Sequence, residues 1–126
     1  MHFVLEYSDN ISREELALPA LFEKLHDSAL GTGLFPLKGI RSRAYTCHDY
    51  RIADGNPGHL FVHLTALIGS GRSMAEKESA AHALFQVYEA HFADSFETRG
   101  VAMSFEMKEL EPVLKYNRNN IQEYLA

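Results

Sequence analysis

The chain has one cysteine, four prolines and no excess of positive charge, and each shortage removes a class of protein. Cys47 has no partner for an internal disulfide, and without other thiols it makes a poor structural metal site, so it reads as a small strand residue. A formal net charge of −5 argues against nucleic acid as the main partner, because phosphate binding needs a basic surface. No apolar run approaches the roughly 20 residues that span a bilayer, so no membrane partner is expected. Glu6, Asp9, Arg13, Glu14 and Glu15 argue against a secretory signal, which leaves a cytoplasmic protein as the expectation. The chain also lacks the Walker spacing, G-x-G-x-x-G and the G-x-S-x-G elbow, so nucleotide binding and that nucleophile geometry are unsupported. Its seven histidines are scattered, and His59 and His63, the two that can share a strand face, stand too far apart to hold one ion.

What is present suits one globular domain: 126 residues, 46% hydrophobic and 23% charged. The opening stretch, Met1 to Asn10, alternates apolar residues at Phe3, Leu5 and Tyr7 and closes on Ser8-Asp9-Asn10, the pattern of a strand ending in a turn. An α-amine is thereby anchored to a sheet. Burial or a nearby cation lowers the pKa of such an amine towards neutrality, where it can act as a general base. The plainer reading is an N-terminal edge strand.

Two similar units follow one another. Ser12 and Glu15 are spaced as a capping box ahead of helical apolar positions at Leu18, Leu21, Phe22, Leu25 and Ala29, with Pro19 predicting a late or kinked start. Gly31 and Gly33 end that helix, Leu34 to Leu37 cross over, and a second strand is expected from about Gly39 to Tyr50. After the turn at Asp54-Gly55-Asn56-Pro57-Gly58, a third strand spans His59 to Ile68. Ser73 and Glu76 box a second helix predicted to run through about Glu97, and Val101, Met103, Phe105 and Met107 alternate in a fourth strand. The fold class is α+β, with tandem β-α-β units forming a four-stranded mixed sheet and both helices on one face. The other face, with Phe61 and Leu67 beside His63 and Thr65, has no helix to cover it. Self-association would bury it, and the apolar tail from Pro112 to Ala126 is expected to dock on a neighbouring subunit; a monomer with its tail folded back is the alternative.

Two features point to a small anion. Lys38, Arg41, Arg43 and Arg51 outnumber Asp49 and Asp54 in the segment from Leu34 to Leu60, although a solvated charged strand and loop explains them as well. Gly69-Ser70-Gly71-Arg72-Ser73 enters a helix N-terminus, where backbone N–H groups and Arg72 can hold a carboxylate; a tight turn with an exposed Arg72 is the simpler alternative.

The chain resembles the 5-carboxymethyl-2-hydroxymuconate Δ-isomerases of the tautomerase superfamily over nearly its whole length. The resemblance is carried by His2-Phe3-Val4-Leu5-Glu6 with Ser8-Asp9-Asn10, Gly33-Leu34-Phe35-Pro36-Leu37 running into Gly39-Ile40-Arg41-Ser42-Arg43, and Ala53-Asp54-Gly55. Phe61-Val62-His63, Ile68-Gly69 with Gly71-Arg72-Ser73, Ser104-Phe105-Glu106 and Asn119-Asn120 match as well. It implies a homotrimer, no cofactor or metal, and an amino-terminal proline nitrogen that moves a proton within an unsaturated di- or tricarboxylate dienol. Arg41 and Arg72, with Gly71, are implied to hold the substrate. Met1 stands where that family has proline, which implies reduced isomerase activity. The alternative is a trimeric carboxylate-binding homologue that has lost catalysis.

Overall fold

The computed structural model describes residues 1–126. Four strands, β1 (His2–Ser8), β2 (Arg41–Cys47), β3 (Leu60–Ile68) and β4 (Val101–Glu109), lie in the order β2-β1-β3-β4. β1 pairs parallel with β2 and β3 with β4, while the central β1–β3 pair is antiparallel. This is the expected mixed sheet of two β-α-β units. Register assigns the faces: Phe3 lies opposite Ala66, Leu5 opposite Leu64 and Tyr7 opposite Val62. On that side Phe3, Leu5, Leu60, Val62, Leu64, Ala66 and Ile68 are buried beneath Leu21, Leu25 and Ala29 of one helix and Ala80, Leu84 and Tyr88 of the other. The opposite side carries His2, Val4 and Glu6, Arg41 and Arg43, and Phe61, His63, Thr65 and Leu67, and no helix packs there.

The first helical segment breaks in two, as Pro19 requires. α1 (Arg13–Leu16) ends at Ala17, which takes φ 44°, and α2 (Leu18–Gly31) restarts with Pro19 in its first turn, where a missing N–H costs nothing. Ser12 accepts from the Glu15 N–H, but only half of the predicted box forms. The Glu15 carboxylate instead accepts from Ser95 at 2.7 Å and Arg99 at 3.2 Å. The box at Ser73 and Glu76 is complete, at 2.9 and 3.1 Å.

Two predicted boundaries move. β2 is shorter than expected, because a 3₁₀ turn takes Leu37–Gly39 at one end and the Asp9 carboxylate ties His48 at 2.9 Å just beyond the other. The second long helix stops at His91: α3 (Met74–His91) and α4 (Ala93–Thr98) meet at Phe92, whose φ of −102° and ψ of 13° leave the helix. The bend keeps the Phe92 ring in the core, edge-on to Tyr88 at 5.7 Å, and turns Phe96, expected on the apolar stripe, out to 48% exposure. No helix is long and apolar enough to cross a membrane.

The Tyr88 hydroxyl is buried without a hydrogen-bond partner, and burial pushes its phenol well above the ordinary range. An unpaired buried hydroxyl costs about 1–3 kcal/mol. Tyr88→Phe is therefore expected to raise unfolding stability by roughly 1 kcal/mol in urea titrations. A loss of that size would mean that the hydroxyl has a partner after all.

Candidate active site

One end of the sheet collects the residues singled out from the sequence. The antiparallel register sets His2 opposite Leu67, so the start of β1 lies beside the turn that leaves β3. The parallel register sets His2 against Arg41, so the start of β2 lies on its other side. Met1 is held between them: its amine donates to the Gly39 carbonyl at 3.0 Å, and its carbonyl accepts from the Arg41 N–H at 3.1 Å. The Met1 side chain is partly buried against the core, so it intrudes less on the site than a fully projecting side chain would.

Arg41 is exposed, and no carboxylate of the chain pairs with it. Arg72 is held more firmly. It donates to the Leu34 carbonyl at 2.7 Å and to the Gly69 carbonyl at 3.1 Å, and its guanidinium sits 4.5 Å over the ring of buried Phe35. A cation on an aromatic face with two carbonyl ties is fixed in place and keeps its remaining donors for a ligand. Gly71 takes φ 107°, a conformation that calls for glycine in this turn. The helix terminus itself is a weaker anion seat than the sequence suggested. The capping box uses the N–H groups of Ser73 and Glu76, and the Glu76 carboxylate occupies the positive end of α3.

The electrostatics follow from this crowding of cations. Burial, then Arg41, Lys115 and Arg72, hold the Met1 amine below its usual 8.0. The adjacent His2 ring is lowered to about 4 by burial, Arg41, the amine, Arg43 and Lys115. Arg43 donates to His2 Nδ1 at 3.0 Å, so the neutral ring carries its proton on Nε2. An amine held below its usual pKa gives up its proton more readily and can serve as a base, and the cations around it can stabilise an enolate.

Sequence reasoning found Met1, Arg41, Gly71 and Arg72, and the fold brings them to the same end of the sheet. It missed the Gly39 carbonyl, the fixed tautomer of His2, and Lys115, whose irregular tail offers no periodic signal. Arg51, counted in the basic segment, has other surroundings, donating to the Asp54 carbonyl at 3.1 Å, while the Lys38 carbonyl, next to Gly39, accepts from Asn119. The largest cavity, about 530 Å³ between α2 and α3, contains none of these site residues, and its one ionisable group, Glu76, belongs to the capping box.

Comparison with known proteins gives a consistent result. The 5-carboxymethyl-2-hydroxymuconate isomerase family profile matches residues 1–125. A 5-carboxymethyl-2-hydroxymuconate Delta-isomerase of Escherichia coli is 45% identical over 120 residues, 95% of this chain and 94% of that protein. The crystal structure of a 5-carboxymethyl-2-hydroxymuconate isomerase from Deinococcus radiodurans R1 superposes with a TM-score of 0.90 at 39% identity, covering 99% of this chain and 94% of the other. A fused 4-OT symmetric trimer shares the fold, with a TM-score of 0.65 at 15% identity over 94% of both chains.

Two titrations test these electrostatics. The Met1 amine, followed by NMR with labelled methionine, is expected to titrate below 8.0 and to move up in Arg41→Ala; a midpoint at or above 8.0 would refute the cationic environment. The unfolded chain protonates His2 near 6.5 and the folded chain near 4, so acid favours unfolding. The contribution of His2 to stability is intact above about 6.5 and is lost as pH falls from there to about 4. Across that window the melting temperature of the parent should fall more than that of His2→Gln; parallel curves would contradict the assignment.

Proposed function

The chain belongs to the 5-carboxymethyl-2-hydroxymuconate isomerase family, and on that premise we propose that it isomerises 5-carboxymethyl-2-hydroxymuconate or a closely related unsaturated 2-hydroxy polycarboxylate. The observation that carries this reading is the Met1 amine, tied to the Gly39 carbonyl and lowered in pKa by burial and by Arg41, Lys115 and Arg72. In the proposed step the neutral amine takes the proton of the 2-hydroxyl, the electron pairs shift along the diene, and the resulting ammonium returns a proton to C5. The product is the conjugated 2-oxo-3-ene. No electrons leave the substrate, so a base and fixed cations suffice for this chemistry. Arg41 holds a substrate carboxylate, and Arg72, fixed over Phe35, stabilises the negative charge that develops at the 2-oxygen.

The same reading takes residues 1–126 as one unit that works as a homotrimer in the cytoplasm, on a step of aromatic-acid breakdown. Val113, Leu114, Tyr116 and Tyr124 of the tail are each at least 73% exposed in the single chain, which supports the outer, apolar side of residues 112–126 meeting a neighbouring subunit while Asn119 ties the tail to its own chain. None of the larger cavities of the single chain contains Met1, which fits a pocket completed by an adjacent subunit. Met1 in place of proline favours a second reading, a carboxylate-binding homologue without turnover. A primary amine is less constrained than a ring nitrogen.

Ultraviolet-monitored isomerisation of 5-carboxymethyl-2-hydroxymuconate separates the two. The parent is expected to turn over slowly and Met1→Pro much faster, with the processed terminus verified by mass. Arg41→Ala and Arg72→Ala should each lower kcat/KM at least tenfold, about 1.4 kcal/mol. Binding with no turnover by either parent or Met1→Pro would support the second reading.

A further inference from the structure

The strand order dictates the course of the C-terminal tail. Leu110 leaves the edge strand β4 with its N–H on the Ile68 carbonyl at 2.7 Å, at the end of the sheet where β3 finishes and β1 begins. Further on, Asn119 Nδ2 donates to the Lys38 carbonyl at 2.8 Å, beside β2 on the other flank. Asn119 Oδ1 accepts from the Ile121 N–H at 2.8 Å, which opens the closing 3₁₀ turn, Ile121–Tyr124. Since β3 and β1 lie between β4 and β2, the stretch joining these anchors crosses the end of β1, where Met1 stands. Lys115 sits midway along it.

The charges agree with that course. Lys115 contributes positive potential at both the Met1 amine and the His2 ring. Lys77 and Lys108 are paired with Glu109 and Glu106, whereas Lys115 pairs with no carboxylate of the chain. The proposed substrate gives such a cation work to do. A muconate skeleton carries two carboxylates and the 5-carboxymethyl group a third; with Arg41 on one of them and Arg72 at the 2-oxygen, the arginines leave carboxylate charge for a further cation to match.

We propose that residues 111–119 form a strap, anchored by Asn119 on the Lys38 carbonyl, that holds Lys115 over the Met1 site of its own chain, where Lys115 is the specificity-determining residue for the third carboxylate of a tricarboxylate. The inference rests on the isomerase reading for the class of ligand. Its test uses inert probes, so that the two can fail separately.

Calorimetry on the full chain compares propane-1,2,3-tricarboxylate with glutarate, which has the same carbon backbone without the middle carboxylate. The parent is expected to bind the tricarboxylate about tenfold more tightly. Lys115→Ala should lose about tenfold on the tricarboxylate and less than about threefold on glutarate, Lys115→Arg should retain the preference, and Asn119→Ala should behave as Lys115→Ala. A parent without preference, or equal losses on both probes in Lys115→Ala, would overturn the role of Lys115. Full affinity in Asn119→Ala would overturn the strap. Discrimination between the probes without turnover of 5-carboxymethyl-2-hydroxymuconate would remove the isomerase reading and leave the carboxylate site standing.

Discussion

His2 faces Leu67 and Tyr7 faces Val62 along the antiparallel ladder between β1 and β3, and that register governs both faces and one end of the molecule. It turns the alternating apolar residues of the two central strands to the same side, where α2 and α3 bury them. A slip of one residue would turn every one of them to the open side. The same register places the first residue of the chain against the turn after β3, which is why a backbone amine and a glycine-rich loop far apart in sequence become neighbours. Parallel pairing with β2 completes the enclosure by bringing the Gly39 carbonyl and Arg41 to the other side of Met1.

Gathering cations at one end of a chain with net charge −5 requires that each be held against its neighbours' repulsion. Arg72 is held by two carbonyl oxygens and an aromatic face, and Arg43 by the unprotonated Nδ1 of His2. These are neutral partners, so they fix position without cancelling charge. The opposite end of the sheet works differently: Arg99 is neutralised by Glu15 at 3.2 Å while also donating to the carbonyls of Asn10 and Gly58. One arginine binds loops together; the others maintain an electric field. That contrast is the physical basis for assigning ligand chemistry to the Met1 end and a structural role to Arg99.

The open face of the sheet combines the two kinds of surface. Phe61 and Leu67 lie half-buried beside a polar chain in which His63 contacts Ser104 at 2.6 Å and Glu106 at 3.2 Å, and Glu106 meets Lys108 at 3.2 Å. Satisfied polar groups interspersed with apolar side chains suit a surface that meets another protein surface, because each polar group already has its partner before water is removed. The exposed apolar side chains of the tail extend the same surface past the edge strand.

Local pattern made the strands, both helical regions, the break near Pro19, the complete box at Ser73 and the uncovered face legible, because period and turn chemistry are properties of neighbouring residues. Met1, Arg41, Gly71 and Arg72 could be named as candidates from residue type and resemblance. Where Phe92 leaves the helix, and why Glu15 abandons its own cap for Arg99 and Ser95, could not be read, since each depends on a partner remote in the chain. The tail gave no period at all, and only the strand order reveals that it crosses the end of β1. By itself, then, the sequence determined the elements and the core face, which follow from short-range spacing, while the type of chemistry came from its resemblance to a family. Only the tertiary structure decided which cations surround the amine, because electrostatic effects depend on distance in space and the distances were set by strand pairing.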